Sequence, residues 1–306
     1  MKKSLLLLLF FSFSYNVFAQ TYVDLLKFKY ANTPVNQFDS SLSDTRVQET
    51  VLDLTYPILL KSGNAIVTGL TFQNIQTKVN PVNPDLTSVY TILLKLGMNI
   101  NHGEKWSGTY MLLPKLSSDL KKVGAEDFQF GAYVLFKYAK AKNFKYQFGM
   151  YYNSELFGPF FVPLLGLYYM SPNNKLEINA SLPVWADINY RFYDWFRLGF
   201  SFSAFVRSYN INEPQFAENG EYLVKQSNEP MFYLQFEPTS SIIIQTKIGY
   251  SIGRRYSIYD ETDRVTFGLS AFRIGDEREQ LNSDFKDGMI LEARLIYRFH
   301  INKDDN

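Results

Sequence analysis

Side chains with catalytic chemistry are scarce in this sequence. It contains two histidines, His102 and His300, and no cysteine. A serine or an attacking water needs a histidine within hydrogen-bond reach to accept its proton. However, His102 stands in a turn-like run, His102-Gly103-Glu104, and His300 follows the last apolar segment. Asp304 and Asp305 fit a solvated acidic tail better than a metal site. The sequence therefore predicts no catalytic residue, no metal site and no cofactor, so the protein is not expected to be an enzyme.

Seven charged residues alternate with apolar ones in three segments of the chain. They are Lys27 and Lys29 near the N-terminus, Glu49 and Asp53 in the next segment, and Glu292, Arg294 and Arg298 near the C-terminus. If these segments are strands, each set projects from one face. Two interpretations stay open. The charges form a ladder of ion pairs that neutralises and stiffens an interior, or they form a polar constriction that selects solutes.

The elements that carry these charges have a period of two residues. In residues 127–138, Phe128, Phe130 and Phe136 share one face, while Gln129, Tyr133 and Lys137 lie on the other. The same alternation returns along the chain and predicts about 14 strands, most of them long enough to cross a bilayer when tilted. Three of these predicted strands cover residues 175–190, 241–257 and 262–274.

The connections between these segments alternate in length over the first half of the chain. Segments 32–45, 79–86 and 118–125 are long and polar, whereas the turns at 61–63, 102–104 and 140–142 are tight. Long loops at one end and short turns at the other are typical of membrane barrels. The alternation reverses between residues 188 and 222, so 12 strands remain an alternative.

The first 19 residues have the pattern of a secretory signal peptide. Lys2 and Lys3 precede an apolar run, and Val17-Phe18-Ala19 fits a cleavage site before Gln20. Without them, the 31 basic side chains fall to 29 against 30 acidic ones, so we expect no nucleic-acid partner. The predicted domains are a signal peptide at 1–19, a barrel at 20–299 and a short polar tail at 300–306.

Composition favours a membrane barrel over a soluble β-sandwich. Phe, Tyr and Trp make up 17% of the chain, and such rings suit both strands and membrane interfaces. A lysine or arginine facing lipid at the bilayer midplane costs about 2 to 4 kcal/mol, so the polar faces should line a lumen. We therefore predict an all-β fold, a transmembrane antiparallel up-and-down β-barrel in the bacterial outer membrane.

The closing segment carries a further signal. Leu295, Tyr297 and Phe299 alternate at the end of the chain and resemble the C-terminal insertion signal of outer-membrane barrels. This resemblance implies outer-membrane lipid and the barrel-assembly machinery as partners. Together with Leu54-Thr55-Tyr56-Pro57 and Leu182-Pro183-Val184, the leader and first strand make the chain similar to an uncharacterised family of outer-membrane β-barrels from Gram-negative bacteria. That resemblance implies the fold and brings no known substrate.

Two functions follow from a barrel of this size. The first is a passive passage for small or amphiphilic solutes. The alternative is a structural or interaction barrel with a filled lumen, which presents the segments at 32–45, 79–86 and 275–285 to a partner. A lumen blocked by Tyr133, Tyr151, Phe205 and paired charges would count against diffusion. Absent conductance, unchanged when Glu49 and Asp53 are replaced, would count against a polar constriction.

Overall fold

The structure is a computed structural model that describes residues 22–39, 43–83, 85–218 and 220–300. The predicted signal peptide at 1–19 and residues 301–306 of the predicted tail lie outside the described residues. The last strand ends at His300, one residue later than the predicted end of the barrel at Phe299. The one helix in the described ranges is a single 3-10 turn at Ala125–Asp127. No helix among these residues has the length and apolar character needed to cross a membrane.

Seventeen strands make up the described chain. They are β1 Tyr22–Gln37, β2 Asp44–Leu59, β3 Ala65–Thr77, β4 Thr87–Asn101, β5 Trp106–Ser118, β6 Phe128–Ala141, β7 Phe144–Glu155, β8 Gly158–Met170, β9 Leu176–Leu182, β10 Trp185–Tyr193, β11 Phe196–Ile211, β12 Glu221–Thr239, β13 Ile242–Tyr250, β14 Ile252–Asp260, β15 Phe267–Leu269, β16 Phe272–Ile274 and β17 Met289–His300.

Fourteen of these strands close into one antiparallel barrel, as predicted. Each of β1 to β12 pairs with its successor, β13 pairs with β17, and β17 returns to β1. The other three strands are not part of the barrel wall. β14 continues the direction of β13 after a break at Ser251 and pairs with β12, while β15 and β16 form a hairpin in the long segment between β14 and β17.

The correct total hides three wrong assignments. Residues 241–257 were predicted as one strand, but a break at Ser251 divides them into the wall strand β13 and the beginning of β14. Residues 175–190 were predicted as one strand, but a two-residue turn at Pro183 and Val184 divides them into β9 and β10. Residues 262–274 were predicted as a wall strand, but they hold only the short β15–β16 hairpin. The missed turn adds one connection, so the short turn at 194–195 lies at the same end as the other short turns and residues 212–220 connect β11 and β12 at the opposite end. The reversal that suggested 12 strands therefore disappears. The predicted loop at 32–45 is also shorter, since residues 32–37 belong to β1 and residues 44–45 to β2.

The two ends of the barrel differ. One end, which we call the terminal end, holds Tyr22, His300 and the short turns that begin after β2, β4, β6, β8, β10 and β12. The opposite end, which we call the loop end, holds the longest connections, including residues 78–86, 119–127 and 261–288, together with two-residue turns at 156–157 and 183–184.

The outer surface of the wall is apolar. Large side chains at alternating positions are exposed on every long strand, among them Phe28, Leu54, Leu94, Phe148, Leu234, Ile244 and Leu295. Leu295, Tyr297 and Phe299 of the predicted insertion signal are each about half exposed on this surface, and their role in assembly stays a prediction. The side chains between these positions point inward, where Gln73, Gln147 and Gln245 are buried. The arrangement is that of a barrel surrounded by lipid.

The loop-end halves of β11 and β12 leave the wall and lie inside the barrel, where β14 pairs with β12. We call them the inner sheet: residues 204–211 of β11, residues 221–228 of β12, and β14. Every residue from Ser208 to Ile211 and from Glu221 to Lys225 is buried. Since successive residues point to opposite faces of a strand, both faces of the inner sheet are covered.

Two apolar clusters cover those faces. On one face Tyr209, Leu223 and Tyr256 pack with Ile75 and Val89 of the wall strands β3 and β4. On the other, Tyr222 and Val224 pack with Leu135 of β6, and with Phe160 and Val162 of β8. The inner sheet therefore stands between opposite walls and fills the loop-end half of the lumen.

The apolar outer surface gives a first test. Leu94 lies at the middle of β4 and is 45% exposed. An arginine there would face the hydrocarbon, so we expect Leu94→Arg to make folding into lipid vesicles less favourable by about 2 to 4 kcal/mol. Urea titration followed by heat-modifiable gel migration measures the change.

Val82 provides the matched control, because it is 89% exposed in the connection between β3 and β4 at the loop end. Val82→Arg should leave the titration unchanged. Equal stability of the Leu94→Arg and wild-type proteins would show that water, rather than lipid, surrounds the wall.

Candidate functional site

The seven predicted lumen charges lie on three neighbouring strands, β1, β2 and β17. Lys29 lies between two of the predicted acids: its Nζ is 2.7 Å from Oε1 of Glu49 and 3.9 Å from Oε2 of Glu292. Arg294 is ion-paired to the same Glu292 carboxylate. At the terminal end, Asp24 forms ion pairs with the two remaining predicted cations. Its Oδ2 lies 3.4 Å from Lys27 Nζ, and its Oδ1 lies 2.7 Å from Arg298 Nε. Each predicted charge in this group has an opposite partner.

Glu49 is the centre of the largest charge cluster. Its carboxylate accepts hydrogen bonds from Lys29, from Gln73 at 2.7 Å and from Lys225 at 2.8 Å. Lys225 belongs to β12 in the inner sheet, four strands from β2 around the wall. The Glu49–Lys225 pair therefore ties the inner sheet to the wall through a buried salt bridge, and Glu49 itself is only 7% exposed.

Asp53 belongs to a separate cluster, nearer the terminal end. Lys95 donates to Asp53 Oδ2 at 2.6 Å, and Thr71 donates to the same oxygen at 2.9 Å. Lys95 was not among the predicted residues. The sequence did contain a signal, because Lys95 is the one charge in the apolar run Ile92-Leu93-Leu94-Lys95-Leu96. When the flanking leucines face outward, this lysine points into the lumen, where a buried cation needs an acidic partner.

A third polar cluster holds the β11 edge of the inner sheet, and sequence reasoning missed it. Glu155 at the end of β7 accepts from the backbone N–H of Ser208 at 2.7 Å and from its hydroxyl at 2.6 Å. Lys115 Nζ lies 3.3 Å from Oε1 of Glu155, and both side chains are buried. Farther along this edge, Asn210 bridges to Ser118 of β5, six strands from β11. The bridge shows that the inner sheet crosses the whole lumen.

The opposite edge of the inner sheet is held by the segment before β17. Leu281 donates its N–H to the Ile258 carbonyl, and Asn282 bonds both to the backbone N–H of Ile258 and to the carbonyl of Tyr256. Segment 275–285, which was predicted to be displayed to a partner, is thus partly built into the closure. In the same segment Arg278 hydrogen-bonds Asp276, which lowers the pKa of that carboxyl. The stabilisation is present above the ordinary pKa of Asp276 and disappears as the pH falls through the lowered value.

These contacts block the lumen in the described conformation. Tyr133 and Tyr151 pack against the second apolar cluster, and the Arg207 guanidinium lies over the Phe205 ring. Arg207 also donates to Gln73 across the barrel. Phe205 stays 42% exposed, so it does not itself seal the passage. The blocked lumen counts against free axial diffusion, as reasoned from the sequence.

The terminal-end half of the lumen is open. A cavity of about 1010 Å³ extends into the barrel from this end, and we call it the vestibule. Six of its lining side chains are lysine or arginine and two are aspartate or glutamate. Tyr22, Tyr168 and Trp195 add aromatic surface. This is a water-accessible, cation-rich pocket that the sequence did not predict.

Neither histidine belongs to the clusters around Glu49, Asp53 or Glu155. His102 Nε2 lies 2.9 Å from the Tyr110 hydroxyl on the outer surface, and the His300 ring lies 6.2 Å from that of Tyr22 at the rim of the vestibule. Among the described residues, no group of three His, Asp or Glu side chains could hold a metal ion.

A family described as "Domain of unknown function (DUF6268)" matches residues 15–297 of the chain. No curated protein matches the sequence.

Solved barrels of the outer membrane are similar in fold at low identity. An outer membrane channel from Pseudomonas putida F1 is 8% identical, with 91% of this chain and 95% of that chain covered and a TM-score of 0.45. The toluene transporter TodX of P. putida is 8% identical, with 92% and 91% covered and a TM-score of 0.40. OprB of P. putida is 9% identical, with 91% and 94% covered and a TM-score of 0.36.

The Glu49 cluster gives a second test. Replacing Glu49 with Gln keeps its shape but leaves Lys225 buried without its acid, and breaking a buried pair in this way costs about 3 to 5 kcal/mol. We expect Glu49→Gln to lower the unfolding free energy by this amount, measured by urea titration of the refolded barrel. Adding Lys225→Met should recover part of the loss, because it removes the unpaired charge.

The control is Glu213→Gln, which breaks the exposed pair between Lys121 and Glu213 at the loop end. Exposed pairs contribute little to stability, so this variant should titrate like the wild type. A Glu49→Gln protein as stable as this control would contradict a structural role for the cluster.

Proposed function

We propose that this chain, which belongs to the DUF6268 family, is a gated outer-membrane barrel that provides a passage for small or amphiphilic solutes. The observation that carries the proposal is the division of the lumen into an open, charged vestibule and a closure made from the chain's own wall strands. In the described conformation the passage is closed.

The location rests on three observations. The outer wall is apolar around the barrel, the sequence begins with a signal-peptide pattern, and the longest connections all lie at the loop end. Short turns face the periplasm in bacterial barrels of this kind. The vestibule therefore opens to the periplasm, and the inner sheet closes the side that faces the cell exterior.

The proposed gate requires the inner sheet to move as a unit. Its three strands continue from β11, β12 and β13 of the wall. The ladder between β11 and β12 is unbroken, whereas the pairing of β14 is irregular where this strand begins. The β12–β14 register shifts between Gln226 and Asn228, β13 and β14 are separated at Ser251, and Gly253 has a φ of +66°. Only glycine adopts that φ readily. These irregular positions are suited to absorb the backbone change that swings the sheet toward the wall.

The closed state is strongly favoured. Opening must separate the two apolar clusters on the faces of the inner sheet and the polar contacts at its edges. Each fully buried Leu, Ile or Phe contributes about 1.5 to 3 kcal/mol to burial. Openings without a solute are therefore rare, and the basal permeability is low.

The second candidate is the structural or interaction barrel with a filled lumen. The complete burial of Phe38, Ile75 and Tyr209 favours it, because a permanent plug needs well-packed apolar contacts. This function predicts no permeability in any variant that remains folded, so the two candidates differ in a measurable property.

Loosening the inner sheet should open the passage. Glu155→Ala removes the carboxylate that holds Ser208 and Lys115. We expect the variant, refolded into liposomes, to admit L-arabinose at least tenfold faster than the wild type in swelling assays. Glu126→Ala is the control, because Glu126 is exposed at the same end of the barrel. Folded Glu155→Ala barrels as tight as this control would favour the filled barrel.

Locking the inner sheet provides the reciprocal test. The chain has no cysteine, and Ser118 and Asn210 are bridge partners across the lumen. We expect Ser118→Cys/Asn210→Cys, added to the Glu155→Ala barrel, to abolish the swelling when oxidised and restore it when reduced. Equal swelling rates in the two redox states would show that solutes do not pass where the inner sheet stands.

A further inference from the structure

The vestibule wall contains two arginines directly opposite each other. Arg191 on β10 is the cross-strand partner of Arg197 on β11, and both line the cavity. Like charges in directly opposite positions destabilise a sheet. Arg197 is compensated, because its Nε lies 2.6 Å from Glu237 Oε1 and its Nη1 lies 3.6 Å from Glu177. Arg191 has no ion pair with any described residue, and its Nε is buried without a hydrogen-bond partner among them.

A second pair of neighbouring cations lies on β6 and β7. Lys137 pairs in register with Gln147, and Lys145 pairs with Ala139, so the two lysines are diagonal neighbours on the inward face. Diagonal neighbours of this kind lie about 7 to 8 Å apart. Both line the vestibule. Within the described part of the chain, neither lysine has an acidic partner, and the nearest aromatic contact is Lys145 over the Tyr168 ring at 5.8 Å.

The acids of the vestibule do not neutralise these groups. Asp194 and Glu237 are the acidic residues that line the cavity, and Glu237 is bound to Arg197 and to Gln235. Elsewhere in the lumen Lys29, Lys95 and Lys225 are each paired with an acidic side chain. The vestibule, in contrast, carries cations in excess of its acids.

We propose that the vestibule binds a small oxyanion, a carboxylate or a phosphate ester, at Arg191 and between Lys137 and Lys145. The guanidinium of arginine matches the geometry of both groups through paired N–H donors. A dianion would offset the unpaired charge of Arg191 and the repulsion between Lys137 and Lys145, and a cavity of about 1010 Å³ accommodates a molecule of drug-like size. The site goes beyond the proposed passage, since binding does not require the barrel to conduct.

Isothermal titration calorimetry with glycerol 3-phosphate tests the site in the full-length barrel refolded in detergent micelles. We expect the wild type to bind glycerol 3-phosphate, to release less heat as NaCl rises, and to give no signal with uncharged glycerol. Arg191→Gln and the double variant Lys137→Gln/Lys145→Gln should each weaken the binding at least tenfold.

Lys121→Gln is the matched control, because it removes one positive charge at the loop end, outside the vestibule. It should bind like the wild type. Heat-modifiable migration confirms that each variant has folded. Wild-type binding no stronger than that of glycerol, or unchanged affinity in both vestibule variants, would overturn the proposal.

A further titration separates two sources of the same chemistry. Short-chain dihexanoyl phosphatidylglycerol, used below its micellar concentration, presents the phosphate of a lipid headgroup. Tighter binding of this lipid than of glycerol 3-phosphate would support a headgroup as the natural ligand, and weaker binding would support a soluble anion. If the barrel never conducts and glycerol 3-phosphate still binds, the oxyanion site stands while the gated passage fails.

Discussion

The closed arrangement of this barrel depends on the shortness of the β9–β10 hairpin. These strands have 7 and 9 residues, whereas their neighbours β8 and β11 have 13 and 16. The loop-end halves of β8 and β11 therefore have no wall partner on that side. Unpaired strand edges do not occur in the hydrocarbon region of a membrane, so both edges must find other partners. β8 pairs with the β15 hairpin through Phe160 and Phe161, and β11 turns inward after its Ala204 N–H bonds to Val184.

Once β11 turns inward, the rest of the closure follows from backbone pairing. β12 follows β11 because the two strands stay paired to Ile211, and β14 follows β12. The resulting three-stranded sheet has two edges of its own, which polar groups satisfy. Glu155 and Ser118 serve the β11 edge, and Asn282 serves the β14 edge. The buried carboxylates in the lumen are thus partners for backbone and lysine groups that would otherwise be unpaired, which explains why so many charges lie in an interior of low dielectric.

Some parts of this architecture could be predicted from the sequence and others could not. Alternation with a period of two is local, so it predicted the strands, their faces and the inward direction of the charges on β1, β2 and β17. The turn at Pro183 and Val184 escaped because both residues continue an apolar segment without the polar residues that mark a loop. The inner sheet had a signal, since Tyr222-Leu223-Val224 is apolar at three consecutive positions, and a strand buried on both faces has that pattern. Lys225, the partner of Glu49 in the inner sheet, had no signal in the sequence, because it lies 176 positions from Glu49.

The position of the cations relates the vestibule to the gate. A solute can shift the inner sheet toward an open state only if it binds that state better than the closed one. Lys225 and Arg207 project from the inner sheet and are now held by Glu49 and Gln73. In the proposed open state these contacts would be broken, and both cations would be available in the lumen. An anionic solute from the vestibule would gain partners on opening, whereas a neutral solute would gain none. Under the proposed function, the free energy that favours opening would therefore depend on the charge of the solute.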